Sequence, residues 1–566
     1  MTSPGGIPAQ PTECDLVMQG GITSGVAYPA AVLELRKRFR FRSIGGASAG
    51  AMAAVVTAAA EYARDSGGFE RLQELRKQLQ EPGLIVQQFR PSRRAEPLFR
   101  ILLAAQAKRT TGARAISYLW GLMRWLFLPL LLSTAVAFGL GWLLVSSAGG
   151  TLGGIGVVGW IVFAVGMVIT GGLGLTLAAV FSLVRLVRDL PDNYYGMCIG
   201  AKQRPGDPDA LADWLYKQIQ IVAGKDLSDP LTFADLAAKG INLRLMTTDV
   251  TGGRPVRLPN EAYSDVSYLF SLDEWRRLFP AEVLDHLARI SAVVYPGAGE
   301  LRALPTDDLP VLVATRMSLT FPVLLSAVPL WTVDGRTVAR HWFADGGISS
   351  NFPIQFFDAW LPTRPTFGLY FGPKVPSSTG DQPPVDPDRV ADRPGMVGYL
   401  GAILSAGLNW HDTMQARLPG FRDRVQQIQL TDGEGGFNLT MPPATIKSID
   451  AKGTAAGQAL LGFDFHTHWV ERYAIAMRML QRNLVAPDDG HISVREAFTP
   501  EYRAWLAAGA PGTDAVFGHG ETWCAEAADA TTTLLDGAEG WLVCGETFVD
   551  GTDPKPSVAM RITPDI

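Results

Sequence analysis

Charge is scarce in this chain of 566 residues. Asp, Glu, Lys and Arg together make up 19% of it and apolar residues 47%, where an ordinary soluble domain carries roughly 25% charged residues. That balance excludes a disordered chain and leans towards membrane. Neither sign of charge dominates: 50 Lys and Arg against 55 Asp and Glu leave a net charge of -5. No basic field exists to hold a polyanion, so nucleic acid is excluded as an expected partner. The four cysteines, Cys14, Cys198, Cys524 and Cys544, stand far apart without a C-x-x-C pair. This excludes a zinc knuckle or disulfide framework and fits a reducing compartment. Only Asp464-Phe465-His466-Thr467-His468 brings histidines together. A spacing of two turns them apart on a helix, so neither a metal nor any other cofactor is expected. Met1–Thr12 has no basic start and no apolar stretch, which argues against a secretory leader.

The largest absence is local. Between Arg124 and Arg185 there is no Asp, Glu, Lys, Arg or His. A helix needs ~20 apolar residues to cross a bilayer, and this run has room for two, about 126–145 and 156–178, joined by a Ser/Gly-rich turn. Lys108, Arg109, Arg114 and Arg124 precede it, and Arg185 and Arg188 follow. The positive-inside tendency then puts both flanks in the cytoplasm. The sequence predicts an integral membrane protein of the bacterial inner membrane whose remaining parts form one cytoplasmic catalytic domain.

Three elements carry chemistry. Ser43-Ile44-Gly45-Gly46-Ala47-Ser48-Ala49-Gly50 leads into the Ala-rich run Ala51–Tyr62. This is strand, tight turn and helix, with Ser48 flanked by Gly46 and Gly50 as G-x-S-x-G, the pattern that exposes a nucleophilic hydroxyl at a helix N-terminus. Cys14–Met18 reads as a strand ending on Gly20-Gly21-Ile22, a turn whose backbone N–H groups suit an oxyanion or a phosphate. The chain lacks the Lys-Ser/Thr ending of a P-loop and the G-x-G-x-x-G of a dinucleotide site. Far downstream, Trp342-Phe343-Ala344 delivers Asp345 onto the turn Gly346-Gly347, with Asn351 and Pro353 following. Asp345 is the expected proton acceptor for Ser48.

In order and spacing these elements resemble the bacterial patatin-like phospholipase family, supported by Met246-Thr247-Thr248-Asp249-Val250-Thr251-Gly252 and Ala314-Thr315-Arg316-Met317-Ser318. The resemblance implies a patatin-like three-layer α/β/α sandwich and a Ser48–Asp345 dyad without histidine. It also implies an oxyanion hole at Gly20, Gly21 and Ile22, with Gly46, Gly50, Gly346 and Gly347 supporting the elbow and turn. The substrate implied is the acyl ester of a membrane phospholipid or other glycerolipid. The family loop commonly reads G-G-G-x-R/K-G, whereas Ile22 and Ser24 stand here for the third glycine and the basic residue. A weakly active membrane scaffold or sensor, and an acyltransferase using the same acyl-enzyme, are therefore the competing readings.

The expected organisation is catalytic residues 1–117, a transmembrane hairpin in 118–190, the second catalytic part in 191–374, a helical cap in 375–496 and a tail in 497–566. Ile241–Thr248 and Thr366–Phe371 read as strands, and Leu211–Ile221, Met396–Trp410 and Thr467–Asn483 as helices. Trp541–Phe548 and Ser557–Ile562 alternate weakly, like short strands.

Overall fold

The computed structural model describes residues 9–92, 190–373, 420–485, 492–511 and 521–543, apart from a few positions within them, together with scattered positions between 95 and 188. Strands β1 (Glu13–Met18), β2 (Arg40–Ala47), β4 (Asn242–Asp249), β12 (Thr366–Pro373) and β13 (Val425–Leu430) run parallel in the order β13-β12-β1-β2-β4. β12 reads as a nearly continuous apolar run because both faces are covered. Leu16 and Ile44 enter the core shared with α1 (Tyr28–Leu35) and α2 (Ala49–Tyr62). Val17, one residue along, turns to the opposite face and packs on Phe352, Ile354 and Phe421.

Beyond β4 the sheet becomes antiparallel. β11 (Thr337–Asp345), β10 (Val328–Asp334), β6 (Leu269–Phe270), β8 (Leu301–Ala303) and β7 (Val293–Tyr295) follow in space, and β5 (Arg254–Leu258) folds back onto β4. β3 (Gly196–Cys198) and β9 (Val323–Leu325) make a separate parallel pair. The chain is thus an α/β fold built on a mixed sheet. Helices α3 (Gly68–Gln78), α4 (Leu84–Gln88) and Leu211–Ala223 lie around α2.

Residues 420–461, expected as part of a helical cap, supply the edge strand β13, and helix Pro443–Leu461 presses against α1. A Cβ on Gly453 would lie 2.1 Å from the Ala27 carbonyl oxygen, so glycine lets the two backbones meet. Thr467–Asn483 falls inside helix Phe465–Leu484. Trp541–Val543 departs from the strand expectation and completes helix Glu521–Val543, because alanines at 525, 527, 528 and 530 favour helix over the weak alternation that follows.

Met396–Trp410 and Ser557–Ile562 lie outside the described residues, as do the two apolar spans about 126–145 and 156–178 except for isolated positions. Among the described residues no helix is long and apolar enough to cross a membrane. Of the isolated positions, Leu131, Val136, Phe138, Trp142 and Leu173 are helical and expose their apolar side chains.

Candidate active site

β2 ends at Ala47 and α2 begins at Ala49, so Ser48 makes the turn by itself, with φ +52° and ψ -128°. Only 6% of it is exposed. A positive φ costs an L-residue roughly 1–2 kcal/mol, so the surroundings must hold the turn. The Ser48 N–H donates to Ser318 Oγ at 3.0 Å, and the Ser48 carbonyl accepts from Ala51 N–H at 2.9 Å. A Cβ on Gly50 would sit 2.1 Å from the Met18 carbonyl oxygen, and one on Gly46 would sit 2.6 Å from the Gly50 carbonyl. The end of β1, the elbow and the first turn of α2 therefore interlock, which only glycines at both places allow.

The same sheet delivers Asp345. β4 pairs with β2 up to Met246↔Ala47, and its next residue, Thr247, pairs with Asp345 of β11. Two strands distant in sequence thus end at consecutive positions of one neighbour, which brings Ser48 and Asp345 together. Thr247 Oγ1 donates to the Ala344 carbonyl and Thr248 Oγ1 to the Asp345 carbonyl, each at 2.9 Å. The Asp345 N–H donates to Thr320 O at 2.8 Å.

Asp345 is 3% exposed, and burial pushes its carboxyl up to about 6, opposed by the Ser48 hydroxyl and the Gly347 N–H. Oδ1 accepts from Gly347 N–H at 2.7 Å, while buried Oδ2 has no closed hydrogen bond. The hydroxyl of Ser48 is thus near enough to act on the carboxylate without being locked to it. A desolvated carboxylate with a spare lone pair is a stronger base than one in water.

The glycine loop closes a third side. Gly20 N–H donates to the Asn351 carbonyl at 2.9 Å, Asn351 Nδ2 donates back to Gly20 O at 3.4 Å, and a Cβ on Gly20 would collide with Asn351 Oδ1 and Ser48 Cβ. Gly21 lies against the Phe371 ring, and Ile22 is outside the described residues. Gly347 also abuts Asn351 Oδ1, and Gly346 abuts the Met246 carbonyl. Asn351 is therefore the tie between loop, elbow and acid turn.

Sequence reasoning picked out the segment Ala314–Ser318 but gave it no task. Helix Val311–Ser318 buries Arg316, whose guanidinium donates to Thr320 Oγ1, Ile199 O and Ser326 O, and burial pushes its pKa down to about 10. A lone arginine amid apolar neighbours was the available signal, since a buried cation requires acceptors. Ser318→Ala leaves the Ser48 N–H without its acceptor. The expected cost is about 1–3 kcal/mol together with slower ester turnover, read by chemical denaturation and by kinetics on a soluble ester.

A second polar cluster lies elsewhere. Asp423, His468 and Glu471 bring ligand-type atoms within 4.8 Å of one another. Burial, with Arg424 and Arg472, pushes the His468 imidazole down to about 3; burial and Asp423 push Glu471 up to about 7. Arg422 lies 3.8 Å from Asp423 and 3.9 Å from Glu471, and Arg424 and Arg472 both pair with Asp358. Of the other sequence histidine, His466, Nδ1 lies 3.1 Å from Gln10 Nε2.

A mixed α/β sheet that delivers G-x-S-x-G onto the N-terminus of a helix is an architecture of serine acyl hydrolases. Residues 16–137 match the patatin-like phospholipase family. Over an alignment of 634 residues, 92% of this chain and 96% of its relative, the protein is 31% identical to the RpoH suppressor of Rhizobium meliloti (strain 1021). It also aligns with VipD from Legionella pneumophila, at 15% identity and a TM-score of 0.30, over 96% of this chain and 88% of that one. The chain belongs to the patatin-like phospholipase family and is a lipid acyl hydrolase acting on lipid esters.

Proposed function

We propose that the protein removes acyl chains from membrane phospholipids through a Ser48–Asp345 dyad, working at the cytoplasmic face of the inner membrane in which its own apolar run is anchored. The observation that carries this reading is an apolar channel of roughly 1090 Å³, its open mouth included, with Ser48 in its wall. Ala49, Met52, Ala53, Val56 and Thr57, one face of α2, line it. Eight residues of helix are about 12 Å long, so an acyl chain can lie along α2 with its ester at the elbow. Leu72, Leu75, Leu215 and Phe321 close the other sides. The lining suits hydrocarbon.

In the proposed reaction Asp345 accepts the Ser48 proton as Oγ attacks the ester carbonyl. The tetrahedral oxyanion takes backbone N–H groups from the Gly20-Gly21-Ile22 loop, aided by the N-terminal dipole of α2. In the resting geometry the Gly20 N–H is held by Asn351, so Gly21 and Ile22 are the donors this reading assigns. Collapse breaks the ester C–O bond, and the departing lysolipid oxygen takes the proton from Asp345. Water, deprotonated by the same carboxylate, then attacks the acyl carbonyl; the bond to Ser48 Oγ breaks, Oγ takes the proton back from Asp345, and the fatty acid leaves. Gly46, Gly50, Gly346 and Gly347 permit the close approaches this geometry needs.

The anchor is supported by the absence of charge from 125 to 184 and by the exposed apolar side chains of Val136, Phe138 and Leu173. Residues 126–145 and 156–178 are the proposed spans. An anchor holds the site beside its substrate and raises the effective lipid concentration.

The test is mass spectrometry of phospholipids incubated with detergent-purified wild type and Ser48→Ala. Free fatty acid and lysolipid from the wild type alone support the reading; equal release by both overturns it. Ala53→Trp fills the channel midway along α2. It is expected to shift the preference from long to short acyl chains, read as relative kcat/KM across an ester series.

A further inference from the structure

Val323 is strained. It has φ +68°, a region that a β-branched residue almost never occupies, and it leaves 49% of its surface in solvent. Backbone strain of this kind persists where the surroundings over-determine it, and such sites are often functional. Its neighbours Phe321, Leu324 and Leu325 turn inward to line the acyl channel, so the strained turn puts an apolar tip outward at the channel wall.

The tip is part of a continuous surface. Val323 pairs with Gly196 in the β3–β9 sheet, next to Tyr195, which is 47% exposed. The Tyr195 ring stands edge-on to Trp342 at 5.1 Å between centroids. Val250, 55% exposed, donates its N–H to the Trp342 carbonyl at 2.9 Å. Arginines border the aromatic part: Arg277 over Tyr194 at 5.4 Å, and Arg340 over Trp342 at 5.1 Å and paired with Glu274. Exposed aliphatic tips beside amphipathic rings and long cationic stems are the composition that settles at a membrane interface.

The chain path points to the same occupant. Ser92 N–H donates to the Met197 carbonyl at 2.8 Å and Pro91 bridges Cys198. Ala95 and Phe99 share a buried cluster with Met197, Cys198, Leu324 and Leu325. The chain approaching the charge-free run and the chain returning from it therefore lie side by side against the small sheet that carries the Val323 tip.

We propose that the surface formed by Tyr195, Val250, Val323 and Trp342 rests on the lipid bilayer beside the channel, so that an acyl chain passes from bilayer to Ser48 without crossing water. This deepens the proposed reading and rests on its bilayer attachment.

The experiment uses the full chain reconstituted in phosphatidylcholine vesicles. Cys14, Cys198 and Cys524 are buried; Cys544, outside the described residues, is replaced by serine. An environment-sensitive fluorophore is attached to Tyr195→Cys, Val250→Cys, Val323→Cys or Lys239→Cys. Lys239 is exposed just before β4, and Val250 follows its end. The eight-residue strand between them spans roughly 26 Å. With brominated lipids in the bilayer, labels at 195, 250 and 323 are expected to lose most of their emission while the label at 239 keeps it. Equal quenching at all four, or none at 195, 250 and 323, overturns the proposal; if Val323→Cys misfolds, Val250→Cys carries the test. Failure here is distinguishable from failure of the dyad. Unquenched labels on a protein with Ser48-dependent ester hydrolysis remove the docking surface alone, whereas quenched labels with hydrolysis surviving Ser48→Ala remove the dyad alone.

Discussion

Ser48→Ala is expected to lower kcat/KM on every ester, phospholipid or short-chain soluble substrate alike, by roughly 10⁴-fold or more, because losing the nucleophile of a cooperating pair costs nearly the whole covalent route. The fold should survive. Alanine loses only the hydroxyl, while the elbow is held by the Ser48 backbone N–H on Ser318 and by the glycine contacts around Met18. The strain at φ +52° stays, because alanine is no more at ease there than serine. Ser48→Gly should be as inactive yet more stable than Ser48→Ala by about 1 kcal/mol, the left-handed penalty removed less the entropy glycine adds to the unfolded chain. Parallel urea melts and ester kinetics decide it: a Ser48→Ala protein that melts like wild type but keeps substantial turnover would remove Ser48 from the chemistry.

Asp345→Asn should combine the second large loss of activity with a gain in stability. The carboxyl, pushed up to about 6 by burial, takes up its proton in the folded protein well before the unfolded chain does at ~3.9. Stability therefore rises as pH falls from about 6 towards 4. Above that window the folded state carries a desolvated charge costing about 3 kcal/mol. Asparagine keeps the shape without the charge, so the variant should be more stable than wild type by up to about 3 kcal/mol at pH 8, with the difference gone near pH 4. Its turnover should fall by roughly 10⁴-fold, and the wild-type kcat/KM should decline as pH drops below about 6. A variant less stable than wild type at pH 8 would mean that the Asp345 carboxylate supports the fold, contrary to its burial.

Much of this site is legible without coordinates because its chemistry is local in sequence. A strand, a Gly-flanked serine and an Ala-rich helix sit within Ser43–Tyr62, and each residue type has one physical reason to be there. The strand assignments for β1, β4 and β12 follow from apolar runs of the right length, and each lands within a residue or two of its strand. What stays hidden depends on pairing. That Thr247 and Thr248 would clasp the Asp345 turn needs the register of β4 with β11. That Ser318 would hold the elbow needs helix Val311–Ser318 placed against it. Residues 425–430 are polar at three of six positions, all glutamine, so they do not read as a strand, although they add the edge of the sheet. The channel is not legible in the sequence, because the 49/52/53/56/57 face of α2 that lines it has a pattern that serves a filled core equally well.

The junction on β4 also bears on synthesis. Ser48 and the charge-free run leave the ribosome long before Asp345, whose strand joins the parallel half of the sheet through the last three residues of β4. β12, which flanks β1, comes later still. Pairings this distant in sequence close late in folding, and chains generally fold from the N-terminus as they are made. On the proposed dyad, a nascent chain would carry its hydroxyl and its apolar run for many seconds without the carboxylate that activates the hydroxyl. Hydrolysis by that pair would then be confined to chains completed past residue 345.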